Sequence, residues 1–355
     1  MPKRNFFIKE SELDDFQVQL IQNRIDIPLI VKGCAGSGKS ILALWRAKQI
    51  QEANIGSYLF ITFTKTLKQY MADGISQIGL DDDRITYDWY WQNKMNCQAA
   101  DYIIIDEVQD FSKSTIDLFK EKAKKALILF GDSAQQLYEN RASWSSGYGG
   151  TPIGSMEAIS VHLDRDLREL SFNHRLPKKI GRFVDHIHFN DVGLEIKCKN
   201  EGTEKPKVLR YDSLYSQLDA IAEIIKNRNF EDVGILFRHN DDVRDAYKYL
   251  SEKGLNVEAK YDDKKDYRNN KMTLNFNSDN PKLMTYHSSK GLQFEAVFLP
   301  ECTCSDNDDK NPLYVALTRT YQSLYIMHSG NLSSFFDAVP TNLYETSLTS
   351  HTELL

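Results

Sequence analysis

The sequence lacks the features that place a chain in a membrane or a secretory pathway. Its 355 residues contain no apolar run near the ~20 residues that a membrane-spanning helix needs. Residues 1–10 have no apolar stretch of signal-peptide type. The five cysteines are scattered and show no paired spacing of a disulfide framework. These absences predict a cytoplasmic protein with reduced thiols and no membrane partner.

Positive charge is also scarce. The formal net charge is −6, whereas a domain that binds nucleic acid is expected to present a basic face. The acidic total does not exclude such binding, because a local groove matters more than the sum. The chain shows no internal repeat and no low-complexity segment, which argues against solenoid and disordered architectures.

What is present is an alternation of short apolar strands and helical stretches. The predicted strand Pro28–Val31 is followed by a helix over Ser40–Ala53 and a strand over Tyr58–Phe63, and similar pairs recur along the chain. Nearly continuous apolar strands are typical of a parallel sheet that is covered on both faces. The alternation therefore predicts the α/β class with right-handed crossovers.

The length predicts two domains, at roughly 100–200 residues each. A stretch rich in glycine and serine, Ser143–Gly154, precedes a second series of strands and helices. We therefore expect a first domain over residues 1–160, a second over 161–340 and a loosely held tail over 341–355. The polar segment Lys260–Asn280 is expected to be a loop or a hairpin.

One segment matches the phosphate-binding pattern G-x-x-x-x-G-K-[ST] in full. It follows an apolar strand and precedes a helix, which is the context the pattern requires. Glycines let backbone N–H groups turn toward phosphates, and Lys39 is expected to reach the β- and γ-phosphates of ATP. Ser40 is expected to bind Mg²⁺ through its hydroxyl. The predicted binding set is Gly33, Gly36, Ser37, Gly38, Lys39 and Ser40.

Two acidic residues, Asp106 and Glu107, end a later apolar strand. A parallel strand beside the phosphate loop would bring Asp106 to the metal and Glu107 to the γ-phosphate. Asp106 is then a predicted Mg²⁺ ligand, and Glu107 a general base that polarises the attacking water. Two acids after a strand are by themselves more typical of a helix cap or a solvated loop. Their position downstream of a phosphate loop favours the catalytic interpretation.

The run Asp106–Asp110, D-E-x-Q-D, resembles motif II of the UvrD/Rep/PcrA branch of superfamily 1 helicases. Further segments resemble the other motifs of that branch and occur in the same order. They are Leu13–Gln17 (Q motif), Gly33–Ser40 (I), Ile61–Thr64 (Ia), Thr86–Trp89 (a T-F-H-S-F-type strand contact), Gly131–Gln135 (III), Asn173–Arg175 (IV), Thr285–Phe294 (V) and Val315–Arg319 (VI).

The resemblance implies two tandem RecA-like domains and an ATP hydrolase that moves on single-stranded nucleic acid, with DNA and 3′→5′ polarity favoured. Gln17 would read the adenine edge, and Gln135 would sense the γ-phosphate. Arg175 and Arg319 would act as arginine fingers, which requires the two domains to face each other across the nucleotide. The implied nucleic-acid contacts are Thr62, Phe63, Thr64, Tyr87, Trp89, Tyr138, Arg238 and His287.

The chain also departs from the branch. His174 stands where a tyrosine stacks on adenine, Ile41 replaces an arginine, and Gln293 replaces the glutamate of motif V. His174 and Gln293 remain in the predicted ATP-binding set. The accessory insertions between motifs Ia and II, and between IV and V, have no room here.

The missing insertions leave a second hypothesis open. The chain could be an ATPase subunit that regulates a partner such as a nuclease, with little unwinding of its own. A third interpretation, a P-loop kinase for a small substrate, is disfavoured by D-E-x-Q-D and by the two distant arginine motifs.

Overall fold

The computed structural model describes residues 12–135, 153–187, 193–263 and 267–348. They form two compact units: an N-terminal unit that ends at Asn173 and a C-terminal unit that starts at His174. The predicted boundary near residue 160 falls short of this point. The reason is that the strand Leu167–Leu170 pairs with the strand that leads into the phosphate loop, so it belongs to the first sheet.

The N-terminal unit is built on a six-stranded sheet in which every pairing is parallel. Its order is β3-β2-β4-β5-β1-β6. The strands are β1 (Leu29–Gly33), β2 (Tyr58–Thr62), β3 (Ile85–Tyr87), β4 (Ala100–Ile105), β5 (Ala123–Gly131) and β6 (Leu167–Leu170). The helices are α1 (Asp15–Gln22), α2 (Lys39–Ala53), α3 (Lys65–Gln77), α4 (Asp88–Asn93), α5 (Lys113–Lys122) and α6 (Met156–Leu163).

Both faces of this sheet are buried, as the apolar strands predicted. Val31 and Ile104 belong to one hydrophobic cluster, while their neighbours Ile30 and Ile105 belong to a second cluster. Successive strand residues point to opposite faces, so the two clusters are the two faces of the sheet. Helix α5 ends at Lys122, because β5 begins at the next residue.

The C-terminal unit contains a second sheet of seven strands in the order β12-β11-β13-β10-β14-β15-β9. Its pairings are parallel except that of β11 with β12. The strands from Asn173 onward are β7 (Asn173–Pro177), β8 (Cys198–Asn200), β9 (Lys207–Arg210), β10 (Val233–Phe237), β11 (Glu258–Tyr261), β12 (Lys271–Met272), β13 (Lys282–Thr285), β14 (Phe294–Leu299) and β15 (Thr320–His328). The helices are α7 (Lys178–Asp185), α8 (Leu194–Lys197), α9 (Leu214–Arg228), α10 (Asn240–Glu252) and α11 (Lys310–Leu317).

Strands β7 and β8 form a separate two-stranded sheet. Each unit thus has the layered α/β architecture with a parallel sheet, and the predicted fold class of two RecA-like domains is confirmed. The antiparallel pair β11–β12 is the hairpin expected within Lys260–Asn280.

The expectation of a loose tail from residue 341 is wrong for its described part, which runs to Leu348. The backbone N–H of Val208 donates to Glu345 O at 2.8 Å, and Glu345 N–H donates to Pro206 O at 2.9 Å. The Tyr344 ring packs on Phe183 at 5.9 Å. An edge strand exposes unpaired backbone groups, and the tail satisfies those of β9. None of the described helices combines the length and the apolar character that crossing a membrane requires.

Candidate nucleotide-binding and hydrolysis site

The phosphate loop joins the end of β1 to the start of α2. Gly36 and Gly38 have φ values of 74° and 86°, in the left-handed region that glycine tolerates best. A side chain at Gly33 would collide with the Ser37 hydroxyl. Local geometry therefore favours glycine at each of these three positions. The loop presents backbone N–H groups at a helix N-terminus, which favours binding of an anion.

The lysine and serine of the phosphate-binding pattern contact different partners. Lys39 Nζ donates to Gly33 O at 2.9 Å and to Cys34 O at 3.0 Å, and it lies 3.8 Å from Asp132 Oδ2. Ser40 Oγ donates to Asp106 Oδ2 at 2.6 Å. The structure therefore brings the phosphate loop and the D-E-x-Q-D run together, as the sequence predicted.

The route by which they meet differs from the expectation. Strand β4, which carries Asp106 at its end, is not the neighbour of β1, because β5 lies between them. The side chains still meet, since parallel strands end at one edge of the sheet. Ser40 and Asp106 offer hydroxyl and carboxylate oxygens, the ligand types that Mg²⁺ prefers, so the pair fits that ion.

Asp106 and Glu107 occupy a strained, buried corner. Burial and the neighbouring Glu107 carboxylate raise the pKa of Asp106 to about 7. Glu107 has a left-handed backbone with φ of 59°, which is uncommon for a non-glycine residue. Such outliers are frequent at functional sites because the surrounding structure must hold them in place.

Side-chain amides link these acids to the end of β5. Gln109 Nε2 donates to Glu107 Oε2 at 2.5 Å, and Gln109 Oε1 accepts from Asp132 N–H at 2.9 Å. Gln135 Nε2 donates to Asp132 Oδ2 at 2.5 Å. Glu107 and Gln135 were predicted from the sequence, whereas Gln109 and Asp132 were not. Both lie inside the D-E-x-Q-D and motif III segments, which was the available signal.

Gln17 lies directly over the phosphate loop. Its Nε2 donates to Ser37 O at 2.9 Å, and its Oε1 accepts from Asp14 N–H at 3.0 Å as part of the capping box of α1. Both ends of the amide are thus engaged with protein groups. The structure brings Gln17 to the predicted ATP site, where it supports the loop.

In the C-terminal unit, residues of motifs IV, V and VI converge. Arg175 Nη2 donates to Thr318 O at 3.0 Å. Arg319 is 1% exposed and donates to Val315 O at 2.8 Å, Thr318 Oγ1 at 3.1 Å and Leu292 O at 3.4 Å. His174 and Gln293 are partly exposed. Both candidate fingers therefore contribute to packing inside this unit.

An aromatic surface follows β3, at the predicted nucleic-acid contacts. The rings of Tyr87 and Trp89 are nearly parallel with centroids 6.4 Å apart, and Tyr90 lies 5.9 Å from Tyr87. Trp89 and Tyr90 are 46% and 44% exposed, and Lys94 Nζ lies 5.8 Å from the Trp89 ring centroid. We call Tyr87, Trp89 and Tyr90 the aromatic surface. Tyr90 was not predicted, although it directly follows Trp89.

The predicted contacts of motif Ia lie in a less accessible place. Thr62 is fully buried, and its hydroxyl donates to Thr64 O at 3.0 Å, so a phosphate contact from Thr62 is not supported. Phe63 packs edge-on against Phe111 at 5.1 Å. Thr64 caps α3 by accepting from Leu67 N–H. Local structure accounts for these three side chains.

The remaining predicted contacts are in the C-terminal unit or beyond the described part. Arg238 pairs with Asp306 at 2.9 Å and with Asp309 at 2.5 Å, so its charge is compensated by two carboxylates. His287 is partly exposed and opens a short 3₁₀ turn that ends at Ser289. Tyr138 lies outside the described residues.

Family comparisons match both halves of the chain. Residues 19–141 match a model described as an AAA domain, and residues 282–327 match the UvrD-like helicase C-terminal domain. A "Probable DNA helicase II homolog" of Rickettsia conorii is 25% identical over 194 residues, which is 47% of this chain and 29% of that protein. The chain thus spans less than a third of that relative.

Solved structures of helicases are also similar. The C-terminal domain of a possible DNA helicase from Lactobacillus plantarum WCFS1 is 17% identical, with a TM-score of 0.38 over 49% of this chain and 98% of that one. The Arterivirus nonstructural protein 10 helicase is 15% identical, with a TM-score of 0.46 over 91% of this chain and 63% of that one.

The AAA match covers the phosphate loop and the acidic pair, and the UvrD-like match covers motifs V and VI. The same order of motifs runs through both units of one chain. These matches support a UvrD/Rep-like helicase of superfamily 1 as the family that this chain resembles.

Proposed function

We propose that this protein hydrolyses MgATP and uses the cycle to move on single-stranded nucleic acid, with DNA favoured and 3′→5′ polarity. The observation that carries the proposal is the 2.6 Å hydrogen bond between Ser40 and Asp106. It joins the phosphate loop to the acidic pair at one sheet edge. The family matches support a helicase-type ATPase.

Each side chain has a proposed task in hydrolysis. The loop N–H groups and Lys39 bind the β- and γ-phosphates, and Glu107 accepts the proton of the attacking water. Ser40 and Asp106 are the proposed Mg²⁺ ligands, and the ion when bound neutralises charge on the phosphates. Gln135 is proposed to sense the γ-phosphate, and Gln17 to support the loop beneath it.

The second unit supplies the proposed arginine fingers. Arg175 and Arg319 provide positive charge for the transition state, as the resemblance implies. Both side chains are largely buried within their own unit. Full activity therefore requires that these guanidinium groups exchange protein acceptors for phosphate oxygens during the cycle.

The aromatic surface is the proposed contact with nucleic acid. Stacking of bases on aromatic rings tolerates any sequence and contributes about 1–3 kcal/mol for each base. Trp89 and Tyr90 have the exposure that such stacking needs, and Lys94 adds a positive charge beside them. Arg238 and His287 remain proposed backbone contacts.

The test is ATP hydrolysis by the purified chain with and without single-stranded DNA or RNA, with Glu107→Gln as the matched control for contaminating ATPases. We expect strand-stimulated turnover in the wild type and a loss of about 10²-fold or more in the variant. Equal turnover in both proteins would refute the assignment of Glu107.

The same assay addresses the second candidate function. A regulatory ATPase that acts on a partner such as a nuclease is favoured by the absence of room for accessory insertions. It predicts turnover that neither DNA nor RNA changes. Strand displacement by the isolated chain on a tailed duplex would exclude this alternative.

A further inference from the structure

A buried amide bridges two motifs of the N-terminal unit. Gln109 donates to the Glu107 carboxylate at 2.5 Å and accepts from the Asp132 N–H at 2.9 Å. Its side chain is almost completely buried. Of the residues that could fill this volume, an amide matches both neighbours because it donates from one atom and accepts at the other.

Asp132 extends the connection toward the phosphate loop. Its carboxylate accepts from Gln135 Nε2 at 2.5 Å and lies 3.8 Å from Lys39 Nζ. A continuous polar path therefore runs from Glu107 through Gln109 to Asp132, and from there to the two side chains proposed to contact the γ-phosphate. Low dielectric strengthens each contact along a buried path of this kind.

The backbone around Gln109 is shaped to admit it. A Cβ atom at Gly131 would lie closest to Met156 Sδ, 2.6 Å from Gln109 Oε1 and 2.9 Å from the Val108 side chain, all closer than ordinary contact. The φ of Gly131 is not in the left-handed region, so conformational freedom does not explain this glycine. The room that it leaves for the Met156, Gln109 and Val108 side chains does.

Glu107 needs such a partner. Its left-handed backbone directs the side chain away from ordinary strand geometry. The Gln109 amide is the hydrogen-bond donor that the structure places against its Oε2 atom. Through Gln109, the orientation of the Glu107 carboxylate therefore depends on the position of the Asp132 backbone.

We propose that Gln109 is a positioning residue that aligns the Glu107 carboxylate for catalysis and couples this alignment to the γ-phosphate-sensing segment at Asp132. The proposal rests on the ATPase function proposed above. Gln109 does not contact the substrate, and its effect passes through Glu107. A displacement of about 1 Å of a catalytic group can reduce the rate of the chemical step on the order of 10²-fold.

The test uses two variants in a steady-state ATPase assay. Gln109→Met keeps about the same volume and Gln109→Leu is slightly smaller, and neither side chain can make the hydrogen bonds to Glu107 and Asp132. We expect kcat to fall by about 10- to 100-fold while KM for ATP changes by less than about threefold. The matched control is Gln49→Met, since Gln49 is a half-buried amide that donates to Ile21 O on α1.

A second comparison separates positioning from packing. Gln109→Met in the Glu107→Gln background is expected to cause no further loss, because the group that Gln109 aligns is already gone. A further tenfold loss would overturn the proposal, as would wild-type kcat in Gln109→Met. If Gln109→Met does not fold, Gln109→Leu carries the same comparison.

Failure of the proposed ATPase function can be distinguished from failure of the Gln109 proposal. A wild-type chain that hydrolyses no ATP with either DNA or RNA would refute the ATPase and this inference together. A wild type whose turnover depends on Glu107 but not on Gln109 would refute the inference alone.

Discussion

Arg319→Ala is expected to destabilise the protein in addition to reducing turnover. The guanidinium is 1% exposed and donates to Val315 O, Thr318 Oγ1 and Leu292 O. Val315 O also accepts from the Thr318 hydroxyl at 3.0 Å, and the Leu292 contact at 3.4 Å is long, so the loss is smaller than three full bonds. Counting about 1–3 kcal/mol for poorly satisfied acceptors and adding a cavity, we expect a loss of about 2–4 kcal/mol in the free energy of unfolding.

Urea titration followed by circular dichroism measures this loss. The matched control is Arg244→Ala, because Arg244 pairs with Asp241 and Asp245 on the exposed face of α10. Exposed ion pairs contribute little, so we expect the control to lose less than about 1 kcal/mol. A loss below about 1 kcal/mol for Arg319→Ala would refute the structural role of its contacts. Turnover should be compared where both proteins are folded, and a finger role predicts a decrease of about 10³-fold.

Three further predictions concern the N-terminal unit. Burial raises the pKa of Asp88 to about 6, so between about pH 4 and 6 the folded state keeps a proton that the unfolded state has released, and stability should fall as pH rises through this window. At pH 7, the free energy of unfolding of Asp88→Asn, measured by urea titration, should therefore exceed that of the wild type by about 1–3 kcal/mol. This difference should vanish near pH 4, and an equal difference at both pH values would contradict this cause. Lys39→Ala should abolish binding of a fluorescent ATP analogue, and wild-type affinity would remove Lys39 from the site. Trp89→Ala should weaken single-stranded DNA binding by about 1–3 kcal/mol in fluorescence anisotropy, whereas unchanged affinity would exclude the aromatic surface.

The parts of the fold that the sequence predicted well are those set by local pattern. The apolar strands and the glycines of the phosphate loop each have a reason within a few residues of their own position. The tail and the domain boundary were misjudged because both depend on pairing between distant segments. The sequence around Glu345 does not indicate that its backbone forms hydrogen bonds beside the edge strand β9. Leu167–Leu170 can be assigned to the first sheet only from its pairing with β1.

The site shows the same division. Lys39, Ser40 and Asp106 could be proposed from the sequence because phosphate and metal chemistry restricts the residue types at each position. The burial of Thr62, which was expected to contact nucleic acid, could not be predicted because it depends on the pairing of β2 with β3. Gln109 and Asp132 could not be proposed from the sequence because their hydrogen bond joins positions that are 23 residues apart in the chain.

The place of β1 in its sheet has a consequence for how the protein folds. Leu29 pairs with Ile128 and Ile30 pairs with Leu167, so both neighbours of the strand are synthesised long after it. Such non-local parallel pairing is slow to form. A nascent chain that ends before β5 contains every residue of the phosphate loop but lacks the strands that hold its base. Fragments that stop short of Leu170 should therefore bind no nucleotide, and the ribosome completes the motif well before the chain can form the site.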